Sequence, residues 1–305
     1  MLTVVTIAIV LTATHVADLG AAVVRAIGTA PVPSSPATAM PAVAKPTPKA
    51  SQGATHAAPV LAPTAGTCTS LPATGNPSGR SVFVDAGHGG PDPGAVGEAG
   101  GAPVMEKEVT LAVAMLLAPL LQSDGYRVVM SRTGDYSVAA NPPSSGGLTA
   151  DDIRRDLLAR VACANRSGAN LLVSIHFNAL NDPSVAGSET FYDAARPFAA
   201  SNRRLAIDLE RSITDTLGSA NLGVWPDDQN VGPALSPAGD LYGHLIELGP
   251  PSPGYVDSPS QMPGALVEPL FLSNRTNARE ASDPGTQRLI ALAIERGIRS
   301  YFNGD

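Results

Sequence analysis

The sequence has no basic run and no excess of positive charge: its 305 residues carry a formal net charge of -7. Without a surface to neutralise phosphates, nucleic acid is not an expected partner. The chain is also poor in cysteine, with Cys68 and Cys163 alone. Two cysteines are too few for a disulfide framework, and they leave two readings, one bridge in an oxidising compartment or two independent thiols. No G-x-S-x-G occurs anywhere. A serine hydrolase using a glycine-rich oxyanion loop would need that nucleophile elbow. The amino terminus lacks charge up to Asp18, and its first basic residue is Arg25.

What is present divides the chain in three. Residues 1–30 open with an apolar run of signal-peptide length, read as a signal peptide or a membrane anchor that lacks the usual positive start. Residues 31–79 hold ten of the chain's 28 prolines among Ala, Ser and Thr. Such a stretch builds no core and reads as an extended, semi-rigid spacer. Both features point to export, to the periplasm or cell wall, with possible membrane association through the N-terminal segment. Residues 80–305 are then long enough for one α/β domain, expected as a monomer. No separate wall-binding repeat is read within these residues.

Within that domain, strand and helix patterns alternate. "SVFVDAG" (81–87), "YRVVMSR" (126–132) and "ANLLVSIHFNA" (169–179) read as strands. "GHLIELG" (243–249) and "GALVEPLF" (264–271) read as further strands. Helical rhythm marks "MEKEVTLAVAMLLAPLLQSDG" (105–125), with Pro119 expected to kink its last turn. It also marks "TADDIRRDLLARVACANRSG" (149–168), "NRRLAIDLERSITDTLG" (202–218) and "TQRLIALAIERGIRSYF" (286–302). The pattern predicts a mostly parallel, twisted sheet with helices on both faces, and sites in such sheets gather at the carboxyl ends of strands. Residues 134–150 and 223–263, rich in Pro, Gly and Ser or Asp, read as long loops that either border a groove or are simply solvated.

Three of the five histidines fall in this domain, and two of them, His88 and His176, stand at the ends of predicted strands. A catalytic zinc site needs three ligands from His, Glu or Asp and an open position for water. At about 100° per residue, Glu106 lies roughly 45° from the centre of its helix's apolar face. Glu108 points more than about 100° away and suits a solvated role. Glu106 is then either a partner of the helix dipole or a third ligand. The glycines of "GHGG" are expected to leave open space around His88 for a bulky substrate.

The ordered motifs "VFVDAGHGGPDPGAVG", "MEKEVTLAVA", "YRVVMSR", "RVACANRSGANLLVSIHFNA" and "MPGALVEPLFLSN" resemble those of the zinc-dependent N-acetylmuramoyl-L-alanine amidases, the amidase type 3 family. The likeness covers about residues 81–302, and the spacer and composition resemble actinobacterial, mycobacterial-like members. It implies one Zn²⁺ held by His88, Glu106 and His176, with Glu268 as the catalytic glutamate and peptidoglycan or muropeptides as substrate. Glu247, in "LIELG", is the competing carboxylate. Asp85 matches the family's acidic position and suits acceptance of a proton from a ligand imidazole. The chain departs from the family at Pro269 and Leu270, beside the expected base. Two other readings stay in view: a zinc peptidase acting within the stem peptide, and a non-catalytic wall-binding regulator derived from an amidase.

Overall fold

A computed structural model of the chain describes residues 67–140, 147–229 and 241–304. The signal or anchor segment and the spacer up to residue 66 lie outside the described residues, as do parts of both long loops.

The strands are β1 (Thr69–Leu71), β2 (Ser81–Ala86), β3 (Val96–Ala99), β4 (Ala102–Met105), β5 (Arg127–Met130), β6 (Leu171–Ile175), β7 (Ser188–Tyr192), β8 (Asn221–Pro226) and β9 (Gly264–Glu268). The helices are α1 (Glu106–Ser123), α2 (Ala150–Ser167), α3 (Ala199–Leu217), α4 (Arg275–Ser282) and α5 (Pro284–Asn303). Seven strands form one sheet in the order β1-β5-β2-β6-β9-β7-β8, while β3 and β4 pair as a hairpin. The pairs β5/β2, β2/β6, β6/β9 and β7/β8 are parallel. The edge pair β1/β5 and the junction β9/β7 are antiparallel, so the sheet is mixed.

Every residue of β2 and β6 is buried. Alternate side chains therefore enter two cores, which explains the near-continuous apolar runs of these strands. Val82, Val84, Leu171 and Val173 pack against Val113 and Leu117 of α1, Leu205 and Leu209 of α3, and Ile290 and Ile294 of α5. Phe83, Val129, Leu172 and Leu266 face the other way, onto Cys163 and Ala164 of α2 together with Leu248 and Met262. Helices thus cover both faces.

Local chemistry sets the helix ends. Thr149 and Asp152 form a reciprocal capping box at the start of α2, and Gly168 closes it in the left-handed conformation. Asp283 caps α5, with Pro284 in its first turn. Pro119 sits inside α1, which nonetheless continues to Ser123.

Two expectations are corrected. The folded region begins before Arg80: β1 lies in the stretch assigned to the spacer, and Cys68 is disulfide-bonded to Cys163 on α2, with Cα atoms 6.1 Å apart. Residues 243–249 form turns rather than a strand. The Asp227 carboxylate accepts the Leu245 N–H, and Leu248 and Gly249 donate back to the Leu245 carbonyl, so no sheet neighbour is needed. The hairpin β3–β4, the strands β7 and β8, and the helix α4 carry no strong periodic signal and were not anticipated. Among the described residues, no helix is long and apolar enough to cross a membrane.

Candidate metal centre

Three adjacent parallel strands, β2, β6 and β9, deliver His88, His176 and Glu268 to one rim of the sheet. The hairpin β3–β4 leads directly into α1, and the Glu106 N–H donates to the Ala95 carbonyl at 2.9 Å. Glu106 is the first residue of α1 and only 4% exposed. Its side chain turns inward, to the same rim.

Ligand-type atoms of His88, Glu106 and His176 all lie within 4.8 Å of one another. His88 Nε2 sits 3.0 Å from Glu106 Oε2, and His176 Nδ1 sits 3.0 Å from Glu106 Oε1. Each carboxylate oxygen also accepts one backbone N–H, Oε2 from Ala95 and Oε1 from Phe177. The two rings meet edge to face with centroids 4.8 Å apart. Electrostatics follow from this crowding. Burial opposes the charge on His88, but Glu106 and Asp92 outweigh it and raise the imidazole to about 10. Burial likewise opposes the Glu106 charge, and the two histidines hold that carboxyl far below the ordinary range.

The loop around His88 is built for close approach. A Cβ on Gly87 would lie 2.5 Å from the His176 ring, and one on Gly94 would lie 2.6 Å from both Glu106 Oε2 and the His88 ring. Only glycine lets these chains pass so near the side chains. Gly89 and Gly90 back onto Tyr136 and Ser137. The expectation that these glycines leave space for a substrate is therefore corrected: they permit packing inside the protein.

His88 is the non-glycine residue with positive φ among those described, at 61°. Such a backbone persists only where its surroundings enforce it. Two buried arginines do so. Arg132 donates to the carbonyls of Ala86, Gly87 and Lys107 at 2.9, 2.8 and 2.7 Å. Arg160 donates to the Ala86 carbonyl at 2.7 Å and also to that of His88. Three successive carbonyls are thus clamped, and the imidazole is aimed at Glu106.

Asp92, four residues past His88, accepts from His88 Nδ1 at 2.8 Å. It fills the role that the sequence reading gave to Asp85. Asp85 instead pairs with Arg160 at 2.7 Å and accepts from Ser174 at 2.8 Å, fully buried. It lies with Glu247 beside His176, all three within 4.8 Å. Burial and the Asp85 charge push the Glu247 carboxyl well up, and the two acids hydrogen-bond. Asp92 was visible in "GHGGPDPG"; its i+4 spacing from His88 was the available signal.

Glu268 ends β9, opposite Glu189 of β7. Its Oε2 is buried with no hydrogen-bond partner. Burial, then the charges of Glu106 and Glu189, push its carboxyl well above the ordinary range. Glu189 itself takes a hydrogen bond from Asn178. Neither Glu189 nor Asn178 was singled out from the sequence.

A family model described as N-acetylmuramoyl-L-alanine amidase matches residues 82–300. The germination-specific N-acetylmuramoyl-L-alanine amidase of Bacillus subtilis is 33% identical over 228 residues, covering 74% of this chain and 81% of that protein. The amidase AmiA of Escherichia coli is 28% identical, covering 73% and 76% of the two chains. Among solved structures, the CwlD amidase of Clostridioides difficile, determined in complex with the GerS lipoprotein, superposes with a TM-score of 0.56 at 27% identity. It covers 74% of this chain, which in turn covers all of it, 100%. The Ami1 amidase of Mycobacterium smegmatis, at 21% identity and a TM-score of 0.51, matches in fold.

Proposed function

The chain belongs to the N-acetylmuramoyl-L-alanine amidase family, enzymes that cut peptidoglycan between N-acetylmuramic acid and L-alanine, and from that premise we propose that it hydrolyses this amide with one zinc ion held by His88, Glu106 and His176. The observation that carries the reading is the convergence of these three donors within 4.8 Å at the rim that also presents Glu268.

The donor set fits such an ion. Two imidazole nitrogens point at opposite oxygens of one carboxylate, and an acceptor behind His88 fixes its ring, as ligating histidines require. A zinc ion there would polarise the scissile carbonyl and bring the acidity of water towards neutrality. The chain's own groups supply the rest. Asp92 keeps the proton on His88 Nδ1, leaving Nε2 free to ligate. Arg132 and Arg160 hold the loop so that no rearrangement is needed on binding. Glu268, with a buried and unpartnered oxygen, accepts a proton from the attacking water and delivers it to the departing L-alanine nitrogen. The products are a glycan strand and a freed peptide. Export to the cell wall belongs to the same reading, since that is where the substrate lies, and the Cys68–Cys163 bridge suits an oxidising compartment.

The test uses sacculi or muropeptides with and without a chelator, scoring new L-alanine amino termini. Glu268→Gln is expected to lose about 10²- to 10⁴-fold in rate while retaining zinc. Activity that survives metal removal, or new termini within the stem peptide instead, would sink the mechanism.

A further inference from the structure

A second set of ligand-type atoms converges away from the rim that carries His88. Asp193, Asp227 and His244 bring one donor atom each within 4.8 Å of the others. Because β7 runs antiparallel to β9, its carboxyl end lies at the opposite rim from Glu268. Asp193 follows the end of β7, four residues and about 13 Å along the strand from Glu189. Asp227 follows the end of β8, which runs parallel to β7.

Each carboxylate is fixed by backbone through one oxygen and turns the other towards His244. Asp193 Oδ1 accepts the N–H groups of Ala195 and Arg196, both at 2.8 Å. Asp227 Oδ2 accepts the Leu245 N–H at 3.0 Å. The remaining oxygens, Asp193 Oδ2 and Asp227 Oδ1, lie 3.0 and 3.1 Å from the same atom, His244 Nδ1. One ring nitrogen carries at most one proton, and it serves Asp227. Asp193 Oδ2 is left without a hydrogen-bond partner although Asp193 is completely buried. The guanidinium of Arg196, near enough to act on Asp193, directs its terminal nitrogens to the carbonyls of Gly249 and Ser260. Two buried carboxylates thus share one imidazole. This is the same close approach of imidazole and carboxylate seen at Glu106, where the spacing is 3.0 Å.

We propose that Asp193, Asp227 and His244 form a second divalent-metal site, structural in role and separate from the catalytic centre. The imidazole selects a first-row ion such as zinc over calcium or magnesium, which take oxygen ligands. Two carboxylates and a neutral imidazole carry two negative charges, which a divalent cation balances. Bound there, it ties together the ends of β7 and β8 and the turn at residues 243–249. The site is reached through His244, whose side chain is 19% exposed, while the two aspartates are 0% exposed.

The test measures zinc bound per full-length chain after chelator stripping and zinc titration. The wild type is expected to hold two equivalents, and His88→Ala, His244→Ala and Asp227→Asn one each. In a His88→Ala background, zinc should raise the melting temperature, and adding Asp227→Asn should abolish that rise. Asp227→Asn preserves shape and decides the matter should His244→Ala fail to fold. A wild type holding one equivalent, lost in His88→Ala but kept in Asp227→Asn, overturns the second site and leaves the catalytic reading standing. Loss of both equivalents in His88→Ala overturns it too.

Discussion

Glu210 on α3 is 1% exposed, and its Oε2 accepts the hydroxyls of Ser188 and Thr190 while Oε1 has no partner. Burial dominates and raises the carboxyl from 4.5 to about 7, with the two hydroxyls opposing and Glu189 adding to the rise. A folded-state value above the unfolded one means that the folded chain binds more protons between the two. Stability is then fully present below pH 4.5 and is lost as pH climbs towards 7. The separation of about 2.5 units corresponds to about 3 kcal/mol across that window. Glu210→Gln removes the titration. Its oxygen can still accept both hydroxyls, but its amide nitrogen would replace an atom with no partner, a pH-independent penalty of about 1–3 kcal/mol. The signature is therefore the slope, not the offset. Urea unfolding from pH 4 to 8 should give a flatter profile for the variant, the two curves converging or crossing as pH rises. Equal slopes across that range would refute the argument that burial holds this acid neutral.

Reducing the Cys68–Cys163 bridge, which spans 95 residues, should lower stability by up to about 4–5 kcal/mol, read from denaturant midpoints with and without reductant. Gly87→Ala places a methyl 2.5 Å from the His176 ring and should abolish activity and one equivalent of bound zinc; near-normal zinc content would count against the packing role of that glycine. Arg160→Met strips the buried Asp85 and the nearby Asp156 of their cation and should destabilise by about 3–5 kcal/mol in thermal or chemical melts. Asp92→Ala should weaken zinc binding by about 10- to 100-fold in competition titrations, because it frees the His88 ring.

The parallel centre of the sheet was legible because β2 and β6 are buried on both sides and read as unbroken apolar runs. The helices were legible through their 3.6-residue period, and Glu106 through its place on the inner face of α1. The error at residues 243–249 has a physical cause. Leu245, Ile246 and Leu248 are apolar enough for a strand and do pack inward, but a run that short does not distinguish a strand from a set of turns. The decisive partner, Asp227, comes from 18 residues upstream. The same distance effect hid the second metal cluster and the arginine clamp: Arg160 is 75 residues from Asp85. The reversal at β9/β7 was equally invisible, since the direction of β7 is set by partners remote in sequence, such as Glu189 opposite Glu268.

The bridge between Cys68 and α2 has a mechanical consequence. Cys68 precedes β1 in the chain. A pull applied through residues before it, as from a tethered amino terminus, meets the covalent link before it reaches the three-residue ladder of β1. The load passes into α2 and the middle of the domain, and the edge strand is spared from peeling.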